Sequence, residues 1–280
     1  MPIKILKPNN AGRRGISVVD RTGVVTTAKP YKPLVAGQAR RSGRNSRGVI
    51  TVQHRGGGAK QAWRTVDLRQ VKLGIPAAVE AIEYDPNRSA YLARIVYMDG
   101  TWSYILAPHN LKVADKIVTN VNTKIKLGNR LILKNIPTGI PIYNIELQPG
   151  RGGQIVRSAG NSAMILGFDK GHAQIKLPSG EVRLVPEICF ASVGTLSNPD
   201  HSNVRIGKAG RMRHMGRRPT VRGKAKNPVD HPHGGGEGNS PIGLKHPKTP
   251  TGKPTKGYKT RKKNKSIRHI IKPRNKKRRK

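Results

Sequence analysis

Charge is spread so unevenly along this 280-residue chain that one stretch alone can close around an ordinary core. Residues 75–200 carry 13 Lys or Arg against 10 acids, close to the balance of a globular domain. Residues 1–74 carry 16 against 2, and residues 201–280 carry 26 against 2. Net charges of +14 and +24 repel themselves, and such segments compact only when a polyanion neutralises them. Nucleic acid meets that need, because phosphates attract Lys and Arg whatever the base sequence. An anionic membrane surface fits less well, since no basic amphipathic helix with a bulky apolar face is legible and no run nears a membrane span.

The middle reads as all-β. Alternating or short apolar stretches fall at 78–84, 91–98, 101–107, 113–118, 130–133, 142–147, 154–157, 163–168, 173–177 and 181–185. Asp99-Gly100 is a strong two-residue hairpin signal, and Pro178-Ser179-Gly180 reverses the chain a second time. Short strands at such spacing predict two small barrels, divided near 122–129, rather than one open sheet. The boundaries are therefore 1–74 for a basic N-terminal extension, 75–125 and 126–200 for the barrels, and 201–280 for a basic C-terminal extension. Eight of the chain's eleven aromatics lie in 75–200, where the default for a strand aromatic is the core.

The arms lack apolar periodicity. Residues 40–48 form a basic loop, and 49–53 suit a short strand or extended segment. His54-Arg55-Gly56-Gly57-Gly58-Ala59-Lys60 then leads to Trp63 and Arg64. Consecutive glycines are as apt for a flexible linker as for close approach to phosphate. Cations on both sides and a tryptophan able to stack on bases favour nucleic acid. Residues 201–208 suggest a short helix. Beyond it stand Arg211, Arg213, Arg217, Arg218, Arg222 and Lys224, and the last 25 residues, ending in a cationic cluster at 276–280, should lack structure in isolation.

Residues 227–238, NPVDHPHGGGEG, contain no Lys or Arg between cationic flanks. Asp230, His231, His233 and Glu237 are metal-ligand types. A His-Pro-His run favours an extended backbone, however, with the two rings on opposite sides. Mg²⁺ shared between a carboxylate and phosphates suits the oxygens better than a transition metal suits the imidazoles. General-base chemistry at His231 or His233 needs a walled, partly dry pocket that this segment cannot build alone. An enzyme is therefore not expected, nor a resident cofactor. The segment should be shaped by RNA, with no defined conformation without it, and Asp230 and Glu237 should pair with cations such as Arg218 and Arg222, with Mg²⁺ or with base donors. One cysteine, Cys189, rules out an internal disulfide. The first residues lack a signal-like apolar run, so an intracellular protein is expected.

Six motifs in one order resemble the family of the universal second protein of the large ribosomal subunit, in its bacterial form. They are GRNSRGVITVQHRGGG at 43–58, IEYDPNRSAY at 82–91, YILAP at 104–108, LQPGRGGQIVRSAG at 147–160, LPSGEVRLV at 177–185 and RPTVRGKAKNPVDHPHGGGEG at 218–238. The resemblance implies an OB-like barrel followed by an SH3-like barrel, with extensions threaded into rRNA. It implies large-subunit rRNA, neighbouring ribosomal proteins and the small subunit, across an inter-subunit bridge, as partners. It implies a part in translation within a cytoplasmic or organellar ribosome, with His231 as structural support of the peptidyl transferase region. The RNA-binding residues would be Arg44, Arg47, His54, Arg55, Gly56–Gly58, Lys60, Trp63, Arg64, Arg88, Arg151, Arg157, Arg211, Arg213, Arg217, Arg218, Arg222, Lys224, Asp230, His231, His233 and Gly234–Gly236. Three positions depart from the family's usual residue: Ala59 for histidine, Lys224 for a small or β-branched residue, and Thr251 for tryptophan. A free DNA-compacting protein is the competing reading, although such a protein has little use for a near-neutral double barrel.

Overall fold

The computed structural model describes residues 3–39, 42–257 and 265–274. The chain forms two compact units, one of residues 1–39, 60–208 and 266–280, the other of residues 40–59 and 209–265. The second unit thus draws on both basic arms, segments that composition alone assigns to opposite ends of the chain.

The first unit is mainly β. Strands β1 (Ile3–Ile5) and β2 (Ser17–Val19) pair antiparallel, as do β3 (Val35–Ala36) and β4 (Trp63–Arg64). Strands β5 (Ala77–Glu83), β6 (Leu92–Tyr97), β7 (Trp102–Leu106) and β8 (Lys116–Ile117) form one antiparallel sheet in the order β7-β6-β5-β8. Strands β9 (Arg130–Ile132), β10 (Pro141–Tyr143), β11 (Ala163–Asp169), β12 (His172–Lys176), β13 (Val182–Pro186), β14 (Phe190–Val193) and β15 (Ile270–Lys272) form the other, in the order β15-β13-β12-β11-β10-β14-β9. The architecture is an OB-like barrel followed by an SH3-like barrel.

Both hairpin signals hold. At Asp99-Gly100, Gly100 takes φ +80° and its N–H donates to the Tyr97 carbonyl at 2.9 Å. Asp99 Oδ1 accepts from the Thr101 N–H at 3.0 Å, closing the β6–β7 turn. At 178–180 the Gly180 N–H donates to the Leu177 carbonyl at 2.9 Å, joining β12 to β13.

Alternation places the cores. Ala77, Val79, Tyr91, Ile95, Tyr97 and Ile105 fill the first barrel, and Leu131, Ile142, Ile165, Ile175, Val185 and Cys189 the second. A third cluster, including Leu92, Tyr104, Leu106, Tyr143 and Leu196, joins the two barrels. The barrels also share a backbone bridge from Pro108 to Leu196 and a 3.3 Å hydrogen bond from the Tyr143 hydroxyl to the Leu106 carbonyl. Tyr91, Tyr97, Tyr104 and Tyr143 are core residues, whereas Tyr84 and Phe168 are exposed. Tyr84 stands just past the end of β5 at Glu83, with the Arg21 guanidinium 3.6 Å from its ring centroid.

Several expected elements shift for local reasons. The strand at 142–147 ends at Tyr143 because Asn144 takes φ +50°. At 154–157 one bridge, Ile145 to Ile155, replaces a strand, and Val156 takes φ +54°. At 113–118 two residues remain, Lys116–Ile117. The helix expected at 201–208 is a 3₁₀ turn over Pro199–Asn203, and the single α-helix among the described residues, α1 (Ala209–His214), begins after Gly207 at φ +74°. At 49–53 the chain forms a loop with one bridge, Arg44 to Ile50. In the tail, β15 pairs with β13, so part of a segment expected to lack structure completes the second sheet. The 276–280 cluster and Arg40-Arg41 lie outside the described residues.

Buried polar pairs anchor both barrels. Arg130, fully buried, donates to Glu146 Oε1 at 3.0 Å and to the Asn144 carbonyl at 2.8 Å. Glu146 also accepts the N–H groups of Gly150, Gly152 and Phe190. Glu83, likewise buried, accepts Arg94 Nη1 at 3.1 Å and the Tyr104 hydroxyl at 2.6 Å. Such groups tolerate burial because every charge is met by a partner.

Candidate nucleic-acid interface

The second unit has almost no core. Among its described residues His231 is the one that is buried, at 7% exposure. The unit carries 21 Lys or Arg against two acids. Backbone hydrogen bonds hold it together instead. Gly56 and Ala59 N–H groups donate to the Gly216 and His214 carbonyls at 2.9 Å each, and the Arg218 N–H donates to the His54 carbonyl at 3.0 Å. An antiparallel bridge joins Arg55 to Arg217. The loop at 42–55 closes on itself. Thr51 and Val52 N–H groups donate to the Gly43 carbonyl, and Asn45 Oδ1 accepts from Arg47 and Val49 at 3.0 Å each. Arg44, Arg47, Arg55, Arg213, Arg217, Arg218 and Arg222 are exposed, while His54, Arg211 and Lys224 are half-buried. The result is a backbone frame studded with outward-facing guanidinium groups, the composition that binds a phosphate backbone.

Residues 227–238 have a defined path of their own, contrary to the expectation that RNA alone would shape them. Asp230 N–H donates to the Asn227 carbonyl at 3.0 Å, Gly234 N–H to the His231 carbonyl at 2.8 Å and Gly235 N–H to the Lys226 carbonyl at 3.0 Å. This turned backbone brings the two imidazoles together, with ring centroids 4.7 Å apart and planes inclined at 58°, rather than on opposite sides. His231 Nδ1 accepts the His233 N–H at 3.0 Å, and His233 Nε2 accepts the Lys248 N–H at 2.8 Å. Each ring therefore spends its lone pair on backbone, which places the proton of the neutral form on Nε2 of His231 and Nδ1 of His233. Burial, then the neighbouring His233 and Lys226, hold the His231 imidazole below the ordinary histidine value.

The glycines serve the same turn. A Cβ on Gly234 would meet the Asn227 carbonyl oxygen at 2.1 Å, and Gly235 and Gly236 take φ near +90°. Gly223, which the sequence reading passed over, is the seat of His231: a Cβ there would lie 2.4–2.7 Å from the imidazole. Its signal in sequence was slight, a glycine eight residues before a histidine. Asp230 and Glu237 form no ion pair among the described residues, so the expected pairing with Arg218 or Arg222 is absent there. Among the described residues no group of three or more His, Cys, Asp or Glu is placed to hold a metal ion. Of the departing residues, Ala59 donates its N–H as above, Lys224 Nζ donates to the Asn239 carbonyl at 3.3 Å, and Thr251 Oγ1 lies 3.0 Å from Thr249 Oγ1.

The remaining site residues belong to the first unit. Trp63, Arg64, Arg88 and Arg157 line one cleft of about 620 Å³. Arg64 is 7% exposed and turned inward, with Nη1 3.2 Å from the Ala62 carbonyl and 3.8 Å from Asp85. Arg88 Nε pairs with the same carboxylate at 2.6 Å, and Asp85 is fully buried. Arg151, Arg157 and Lys60 are exposed.

Two family models match this chain. Residues 31–119 match the RNA-binding N-terminal domain of ribosomal proteins L2, and residues 126–252 match the C-terminal domain of the same proteins. The first match spans the OB-like sheet and the Trp63 cleft's floor. The second spans the SH3-like barrel up to β14, the frame around His231 and the glycine turn. Together they cover well over half of the chain, which belongs to the ribosomal protein L2 family.

Proposed function

We propose that this chain binds large-subunit rRNA through both units, helps to join the two ribosomal subunits and supports the peptidyl transferase region without taking part in its chemistry. Family membership carries a structural, RNA-binding role in the ribosome. The observation that supports the finer reading is the second unit: 21 cations on a frame whose single buried described residue is a histidine. Nothing apolar holds such a frame against its own repulsion, whereas an RNA phosphate backbone does. His231 supports the region by position. Its acceptor nitrogen is engaged by backbone, so it orders the turn rather than accepting a proton from substrate. Asp230 and Glu237 are exposed carboxylates suited to Mg²⁺ shared with phosphates. The setting we propose is a cytoplasmic ribosome, with neighbouring ribosomal proteins beside the barrels.

Competition between large-subunit rRNA and duplex DNA for the full chain, at physiological salt, tests this reading. Preference for rRNA with a distinct salt slope is expected. Equal affinity with equal slopes overturns it in favour of a free nucleic-acid compactor. In reconstituted subunits, His231→Ala should slow peptide-bond formation while rRNA binding persists. Unaltered peptide-bond formation removes the peptidyl transferase part.

A further inference from the structure

We propose that the groove formed by Arg44, Ile50, Val52, Arg55, Arg218 and Val221 docks an acidic segment of a partner protein, with one apolar side chain in the groove and flanking carboxylates on the three arginines. The proposal goes beyond the rRNA-binding reading and does not rest on it. The groove has a volume of about 430 Å³ and lies within the second unit, between the loop at 42–55 and residues 218–221. Backbone bonds fix both walls. The Thr51 and Val52 N–H groups close the loop on the Gly43 carbonyl at 2.8 and 3.0 Å. Gly43 takes φ +74°, and a Cβ there would lie 2.3 Å from the Val52 carbonyl oxygen, so the loop requires a glycine. The Arg218 N–H, bonded to the His54 carbonyl, sets the second wall against the first.

Aliphatic side chains stand open here, in a unit with no core to take them. Ile50 is 56% exposed, and Val52 and Val221 are 53% exposed each. Aliphatic groups gathered around one groove in water gain free energy when an apolar side chain from outside covers them. RNA answers this surface less well. Its bases stack on flat aromatic faces, and among the described residues no Trp, Tyr or Phe lines the groove. A second copy of this chain is unsuited, because each copy carries a net charge of +41. Arg44, Arg55 and Arg218 are exposed and enter no ion pair among the described residues. Guanidinium groups hold carboxylates through paired N–H donors, so this rim complements a segment rich in Asp and Glu around one bulky apolar residue. The same arginines cannot hold carboxylate and phosphate together. Such a partner and rRNA therefore exclude each other, and the partner binds the chain when it is free of RNA.

The test titrates the full chain with two labelled polyglutamate peptides, one with a single central leucine and the other with serine in its place. Both carry the same charge, so their difference reads the groove and not the general attraction of a cationic chain. The leucine peptide should bind roughly tenfold more tightly. Ile50→Ser and Val221→Ser, one from each arm, should each remove most of that preference. Protection of the His233 amide equal to wild type shows that the second unit of each variant is intact. Arg218→Ala should weaken both peptides, and a large-subunit rRNA transcript should displace the leucine peptide. Equal affinity of the two peptides for the wild-type chain overturns the proposal and leaves charge attraction alone. A preference that survives both serine substitutions, or a peptide that rRNA does not displace, places the binding elsewhere and overturns it too. If the wild-type chain shows no leucine preference and the serine substitutions weaken rRNA binding, the groove serves RNA. If instead they abolish a self-association seen by sedimentation, it serves a second copy. The readout is a difference between two peptides, so it stands or falls apart from any preference for rRNA over DNA.

Discussion

The two units solve the problem of staying folded in different ways. The first buries three apolar clusters and sets its few internal charges in matched pairs. The second buries one histidine among its described residues, closes its loops with backbone hydrogen bonds and leaves most of its arginines outside. Near-neutral charge in residues 75–200 lets the barrels of the first unit collapse in water. The second has 21 Lys or Arg against two acids and no such neutral stretch, which opposes collapse. Apolar burial in this protein is therefore concentrated in the barrels, and exposed cationic charge in the second unit.

The contrast breaks or sharpens under substitution, most severely at Glu146. Replacing it with Ala strands the Arg130 guanidinium in the core and takes the acceptor from the Gly150, Gly152 and Phe190 N–H groups. A loss of about 3–5 kcal/mol in denaturant unfolding is expected. A loss under about 1 kcal/mol would show that water or a rearranged partner reaches Arg130. Ile142→Ala, fully buried in the second barrel, should cost about 2–5 kcal/mol by the same measurement.

In the second unit the effects should be local. Gly223→Ala forces a methyl group against the His231 ring. It should abolish hydrogen-exchange protection at the His233 amide, while the main unfolding transition moves by less than about 1 kcal/mol. A large shift in that transition would mean that the two units fold as one. Arg44→Ala and Arg47→Ala should each lower the log–log salt slope of rRNA binding by about 0.7–0.9, without a change in thermal unfolding.

The smallest effect is one of pH. The His231 imidazole is held below its ordinary value, so the folded turn binds fewer protons than the unfolded one between the lowered value and about 6.5. Stability of the turn is thus fully present above about pH 6.5 and lost as pH falls through the folded value. Protection of the His233 amide, corrected for intrinsic exchange, should decline on acidification from pH 7 to 5. Constant protection would show that protonation does not displace the bond at Nδ1.

Much of the first unit was legible in the sequence because its signals are local. Two-residue alternation marked the strands, Asp99-Gly100 and Pro178-Ser179-Gly180 marked the turns, and charge balance marked the extent of the core. Where alternation misled, at Tyr84 and after Tyr143, the strand stops one residue short and a left-handed residue turns the chain, and neither has a signature in one sequence. The cationic side chains of the candidate interface were legible by type but not by direction. Arg64 and Arg157 look alike in sequence, yet one lies against buried Asp85 and the other faces solvent.

Residue chemistry alone determined that this protein has a near-neutral β core and two arms that seek a polyanion, since charge and alternation are properties of the chain itself. Tertiary structure alone decided that residues from the two arms build one unit, that a Trp63 cleft is assembled from three segments, and that Gly234 packs against the backbone of Lys226 and Asn227. Those contacts join residues tens to more than 150 positions apart, or depend on a φ value and a few tenths of an ångström, and neither is written in the order of amino acids.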